Sequence, residues 1–176
     1  MELLRGEDLG ARLTRGERTT PAEVLEIVAQ LARALDKTHT AGVVHRDLKP
    51  ENLFVTQRDD GSMRMRILDF GIAKLVERTG VARGKDTRSV GTPLYMAPEQ
   101  MTGLAIDIGP AADIYALGHI VFTLLVGSPY FRREAESADN VLGLMFKVSG
   151  GTVEPASFRA ANVGVGVKDH GPDARH

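Results

Sequence analysis

The chain has 176 residues, 43% hydrophobic and 26% charged, a balance that supports one folded domain with a sizeable core and excludes a disordered chain. Its net charge of −1 leaves no overall field directed at nucleic acid or an acidic membrane. Cysteine is absent, which excludes disulfides and thiolate metal sites and suits a reducing cytoplasm.

The opening residues, Met1 to Asp8, lack the basic start and apolar run of a signal peptide. Thr20-Pro21-Ala22-Glu23 is a helix start: Thr20 can cap, Pro21 fits the first turn and Glu23 completes a capping box. Val24, Ile27, Val28, Leu31 and Leu35 then recur at helical spacing and Gly42 sits at the stop, which predicts a helix near 21–41. Short apolar runs follow at Val43-Val44, Leu53-Phe54-Val55 and Met65 to Leu68. Arg58 to Ser62 separates the last two as a hairpin turn. Residues 76–90 are polar, rich in Arg and Gly and without periodicity, and read as a mobile loop. The longest apolar stretch, Ile114 to Val126, is too short for a bilayer and reads as a buried helix near 111–126 that stops at Gly127. His119 on that helix reads as a packed core histidine, and the charged run Arg132 to Glu136 as a solvated surface. A third helix is predicted near 138–149; beyond Gly150 the pattern decays, and Asn162 to His176 has no amphipathic face. The expected buried set is Leu31, Leu35, His45, Leu53, Ile67, Leu117, Ile120 and Leu124.

Three motifs stand out, in one order. They are His45-Arg46-Asp47-Leu48-Lys49-Pro50-Glu51-Asn52, then Asp69-Phe70-Gly71, then Ala97-Pro98-Glu99. Together they resemble the catalytic loop, magnesium loop and activation-segment end of a eukaryotic-type Ser/Thr protein kinase. The segment Gly91 to Gln100 and the run Asp113 to Gly118 resemble bacterial members of that family. The resemblance covers about residues 1–158, firmly from Gly42 to Gly127. It implies a mainly α fold with a small antiparallel β-hairpin: the C-terminal lobe of a kinase domain, without its N-terminal lobe. On this division 1–158 is a partial kinase domain and 159–176 a poorly structured tail.

The resemblance also implies ATP and Mg2+ as cofactors and a protein Ser or Thr hydroxyl as acceptor, with no nucleic-acid partner and no membrane segment. Phosphoryl transfer needs positioning and charge neutralisation, so hard oxygen ligands are required. Asn52 and Asp69 match the metal ligands. Asp47 matches the acceptor of the substrate hydroxyl proton, and Lys49 the lysine that steadies the transferred phosphate, a Ser/Thr-type pattern. Met1 to Asp8 resembles the hinge between lobes, with Met1 as gatekeeper. Glu2 and Leu4 would face the adenine edge, and Asp8 would approach the ribose. Glu51 joins this nucleotide set. Leu53 would floor the base, backed by Ile120 and Leu124, and all three equally read as ordinary core. Thr79, Thr87 and Ser89 are candidate loop phosphoacceptors, with Arg46 as the guanidinium that receives the phosphate. Thr92 would bond toward Asp47 and Lys49. His45, Phe70, Gly71, Glu99 and Asp113 take structural roles; Asp113 would hold the catalytic-loop backbone.

The Gly-rich loop, strand lysine and helix glutamate of the family's N-terminal lobe have no counterpart in these residues, nor does the late arginine that pairs with the Glu of Ala-Pro-Glu. A late start codon, a truncated gene and a frameshift all remain open. The expectation is a Ser/Thr kinase chain with negligible activity when isolated. The alternative is a non-catalytic kinase-like binding module or a truncated gene product.

Overall fold

In the computed structural model, residues 6–69, 93–101, 108–150 and 154–163 are described. Strand β1 is Gly6–Asp8 and helix α1 Leu9–Thr14; α2 is Pro21–Thr40, and a 3-10 turn at Pro50–Asn52 leads into β2, Leu53–Gln57, and β3, Met63–Ile67. A 3-10 turn at Pro93–Tyr95 precedes α3, Pro98–Met101; α4 is Pro110–Val126, α5 Arg132–Glu136, α6 Val141–Gly150 and α7 Ala156–Ala161.

The long helices start and stop where their termini are satisfied. At the head of α2 the Thr20 hydroxyl accepts from Glu23 N at 3.3 Å, and the Glu23 carboxylate accepts from Thr20 N at 2.8 Å, a complete capping box. At its tail Gly42 (φ 75°) reverses the chain, so that Gly42 N donates to His39 O and Val43 N to Thr38 O. Between these ends Val24, Ile27, Leu31 and Leu35 are buried at spacings of three and four, forming one stripe. That stripe faces α4, whose Ala116, Leu117, Ile120 and Leu124 complete the main core with Leu9, Leu48, Leu53 and Val55. Fully burying each large aliphatic side chain contributes about 1.5–3 kcal/mol. Helix α4 ends at Gly127 (φ 78°), whose N–H returns to Thr123 O.

The sheet is antiparallel in the order β1-β2-β3, with Glu7 and Met65 flanking Val55 on either side. The predicted hairpin is β2–β3, closed by Arg58 N to Ser62 O and Gly61 N to Arg58 O, each 2.9 Å. It gains a third strand, β1, from the segment read as a hinge. Three residues are too few to show alternation in a sequence. Gly6 is required there: its φ is 152°, and a Cβ would lie 2.0 Å from Val55 O. The outer edge of β3 is covered by one side chain of α2. Gln30 accepts from Met65 N at 3.0 Å and donates to Met63 O at 3.1 Å. Ile67, expected to be buried, is only half-buried on this edge strand.

A second cluster lies on the other side of α4, where Tyr130, Phe131, Leu144 and Val148 pack against Tyr115 and Phe122. His119 sits in it, 4.5 Å from the Tyr115 ring and 5.1 Å from a stacked Phe131. The charged run Arg132–Glu136 forms α5, and it is solvated only in part. Arg132 and Glu136 pair on the surface, but Glu134 turns inward to Arg159. Arg159 is buried: it donates to both Glu134 oxygens at 2.8 and 2.6 Å and to Tyr130 O at 2.7 Å, and its guanidinium lies 4.2 Å from the Tyr130 ring centroid. The domain boundary expected at 158 therefore falls inside α7, and Arg159 anchors that helix to the body. Residues 164–176 of the expected tail, and the loop 76–90, lie outside the described residues.

Candidate active site

The candidate catalytic residues Asp47, Lys49 and Asn52 lie between the end of α2 and the start of β2. Asn52 is buried, and its Nδ2 donates to Asp47 O at 2.8 Å and lies 3.4 Å from Asp47 Oδ2. The Asp47 carbonyl can only accept, so the NH2 end of the Asn52 amide must face it, which leaves Oδ1 as the atom for a cation. Lys49 Nζ is 3.4 Å from the same Asp47 Oδ2, with both side chains partly exposed. One carboxylate oxygen is thus flanked by an ammonium and an amide. Asp69 arrives from the far end of the hairpin. The β2–β3 ladder continues one pair past Leu53 and Ile67, with Leu68 N donating to Asn52 O at 2.8 Å. Asp69 is the next residue and is exposed. Asp69 therefore lies one residue beyond the strand partner of Asn52, and an amide oxygen with a carboxylate is the kind of hard donor set that Mg2+ takes.

The loop is held by a buried acid, Asp113, in the first turn of α4 and 1% exposed. Its Oδ2 accepts from His45 N and from His39 Nε2, and its Oδ1 accepts from Arg46 N, all at 2.8 Å. A buried carboxylate is tolerable only with such partners. His45 is fully buried and bonds in two directions: Nδ1 accepts from Asp47 N at 3.3 Å, and Nε2 lies 2.9 Å from Leu68 O. One tautomer, with the proton on Nε2, serves both contacts. His45 thereby ties the catalytic loop to the strand that presents Asp69. Among the described residues, Arg46 (φ 65°) and Asp69 (φ 49°) are the only non-glycine residues with positive φ. Such a conformation costs about 1–3 kcal/mol, and it persists here beside Asp47 and at Asp69 itself.

Two residues of this network escaped the sequence: His39, on the last turn of α2, and Gln100, on α3, whose Nε2 donates to Arg46 O at 2.7 Å. His39 falls one turn after Leu35 on the stripe of α2 but is polar, and Gln100 sits in no periodic pattern. Of the other candidates, Asp8 caps α1, its Oδ1 accepting from Ala11 N at 2.8 Å. Glu51 is exposed with its stem against Gly10, where a Cβ would lie 2.9 Å from Glu51 Cγ. Leu53 is fully buried in the core cluster with Ile120 and Leu124. Glu99 is half-buried in the first turn of α3. Glu2, Leu4, Phe70, Gly71, Thr87, Ser89 and Thr92 lie outside the described residues, as do Met1 and Thr79.

The family model for the protein kinase domain matches residues 1–160, which takes in every element above except the last residue of α7. The chain belongs to the protein kinase family. Among curated relatives, this kinase chain is 42% identical over 131 residues to serine/threonine-protein kinase PkaB of Streptomyces coelicolor, covering 72% of the chain and 30% of the relative. It is 41% identical over 144 residues to Pkn1 of Myxococcus xanthus, covering 80% of the chain and 20% of that protein. It is 40% identical over 135 residues to PknD of Mycobacterium tuberculosis, covering 77% and 19%. The kinase chain thus spans less than a third of the length of each of these relatives. No described helix is long and apolar enough to cross a membrane.

Proposed function

We propose that this chain is the C-terminal, catalytic lobe of a serine/threonine protein kinase, which transfers the γ-phosphoryl group of ATP to Ser or Thr hydroxyls of cytoplasmic proteins. The observation that carries the reading is the Asp47 carboxylate, flanked at 3.4 Å by Lys49 and Asn52 and set on a loop locked by Asp113. In the transfer, the substrate hydroxyl oxygen bonds to the γ-phosphorus and its proton passes to Asp47. The bond from that phosphorus to the bridging oxygen breaks, and ADP leaves with the electron pair. Lys49 sets its charge beside the phosphoryl oxygens. Asn52 and Asp69 would hold Mg2+, which when bound neutralises charge across the β- and γ-phosphates. Asp8 and Glu51 border the nucleotide in this reading, with Glu2 and Leu4 on its adenine edge. Arg46 Nε is buried without a hydrogen-bond partner among the described residues, which supports Arg46 as the group that receives a loop phosphate.

A preceding lobe with a glycine loop and lysine must align the phosphates, so the 176 residues alone should show negligible transfer. Joining the corresponding lobe of a bacterial relative before Met1 should give Mg2+-dependent incorporation of labelled phosphate on Ser and Thr of a generic protein. Asp47→Asn in that graft should lower kcat by about 100- to 10,000-fold with unchanged folding. A well-folded graft that stays inert with Asp47 and Asp69 intact would refute the reading in favour of a binding module.

A further inference from the structure

We propose that Gln100 is a positioning residue that ties the start of α3 to the peptide plane carrying Asp47. The inference rests on the kinase reading for its catalytic consequence only. Gln100 is the third residue of α3, which Ala97 precedes as the capping position. Its Oε1 accepts from Ala97 N at 3.0 Å, which is half of a capping box. Alanine has no side chain to complete the box. The other end of the amide points away from the helix instead, and Nε2 donates to Arg46 O at 2.7 Å. A donor on one side and an acceptor on the other allow one amide orientation, so both bonds stand together.

The carbonyl of Arg46 and the N–H of Asp47 belong to one planar peptide unit. Its oxygen is fixed by Gln100 at 2.7 Å, and its N–H points at His45 Nδ1 at 3.3 Å. On the other side of Arg46 Cα, its own N–H is held by Asp113. Arg46 stands at φ 65°, where an arginine does not rest unaided. Asp113 and Gln100 therefore hold the strained residue from both sides. Asp113 acts from the buried helix α4. Gln100 acts from the Ala97-Pro98-Glu99 end, so a shift of α3 is passed to the direction of Asp47. A glutamate at this position could cap α3 equally well, but it has no proton to give to Arg46 O.

This difference separates positioning from helix capping. In the 176-residue chain, NMR should show a scalar coupling across the hydrogen bond between Gln100 Nε2 and the Arg46 carbonyl carbon. Gln100→Glu should move that carbonyl signal toward its unbonded shift while melting with the parent, and Gln100→Ala should move it and lower the melting temperature as well. In the lobe-joined chain, both variants should lose about 10- to 100-fold in kcat, as misplacement of a reacting group does, with KM for ATP within about twofold. Gln100→Glu with an unmoved Arg46 carbonyl signal, or with parental kcat, overturns the proposal and leaves Gln100 as a helix cap. If the unsubstituted graft is inert, the functional reading fails, and the coupling and carbonyl shift still decide the positioning.

Discussion

Replacing Asp113 by Asn changes one buried atom and should cost about 2–4 kcal/mol of stability. The carboxylate takes two donors on Oδ2, His39 Nε2 and His45 N, and one on Oδ1, Arg46 N. Asparagine keeps a single acceptor. Its best placement turns the remaining oxygen to the two-donor side, so its NH2 faces the Arg46 N–H. One hydrogen bond to a charged group is then lost, about 1.5–3 kcal/mol, and two donors are left opposed in a site 1% exposed. The two surviving bonds weaken as the acceptor loses its charge. Part of the loss returns when Arg46 relaxes from φ 65°, a release of about 1–2 kcal/mol. That relaxation is itself damaging, because Asp47 follows directly. For a chain of this size each kcal/mol lowers the melting temperature by about 2–4 °C, so a fall of roughly 4–16 °C should appear in thermal unfolding followed by circular dichroism. Amide exchange should be faster at Arg46 and Asp47 than in the middle of α2. Parental melting together with a protected Arg46 amide would refute the claim that Asp113 holds the loop.

Arg159→Met keeps the volume of the side chain but leaves Glu134 without its buried cation, and chemical denaturation should show a loss of about 3–5 kcal/mol; an unchanged midpoint would mean that α7 does not anchor to the body. His119 has its pKa pushed down from 6.5 to about 4 by burial and by the charge of Arg159. Its contribution is therefore complete above about pH 6.5 and is lost as pH falls through about 4. The gap sets a ceiling of about 3 kcal/mol, and half-burial of the ring reduces it to about 1–2 kcal/mol. Melting curves at pH 7 and pH 4 should show that part of the acid loss disappears in His119→Phe, and an identical acid loss in both proteins would remove His119 from the account.

The proposed reactive groups could be read from the sequence as a set because a short run carries them. Asp47, Lys49 and Asn52 fall within six residues, and a turn followed by a strand is enough to bring them together. The long helices were legible for a similar reason, since Val24, Ile27, Leu31 and Leu35 form a stripe within one helix. What escaped lacks a local signal. Strand β1 has three residues and no alternation to read. Helix α7 buries one residue, and that residue is Arg159, so apolar periodicity is blind to it. His39 meets Asp113 across 74 residues, and Gln100 meets Arg46 across 54. Such contacts are set by how α2, α3 and α4 pack, which no single segment specifies.

The division has a physical consequence for the catalytic loop. The run from His45 to Asn52 carries the groups proposed for the chemistry, but little in it sets its own backbone geometry. Arg46 is strained, and a free loop would relax it. The restraint comes from four separate places: Asp113 on α4, His39 behind that acid on α2, Gln100 on α3, and Leu68 O at the end of β3 through His45. Each of these restraints acts on backbone or on a neighbour, and none needs to touch the reacting atoms. The same packing that buries the α2 stripe against α4 also sets where Asp113 and His39 meet the loop. Core substitutions between α2 and α4 should therefore reach activity as well as stability. Leu35→Ala should cost about 2–5 kcal/mol in chemical denaturation, lying as it does one turn from His39 on the same helix. In the lobe-joined chain it should lower kcat even at temperatures where the protein stays fully folded. Unchanged kcat beside the full loss of stability would show that the loop is insulated from the core, and that Asp113 and Gln100 suffice to hold it.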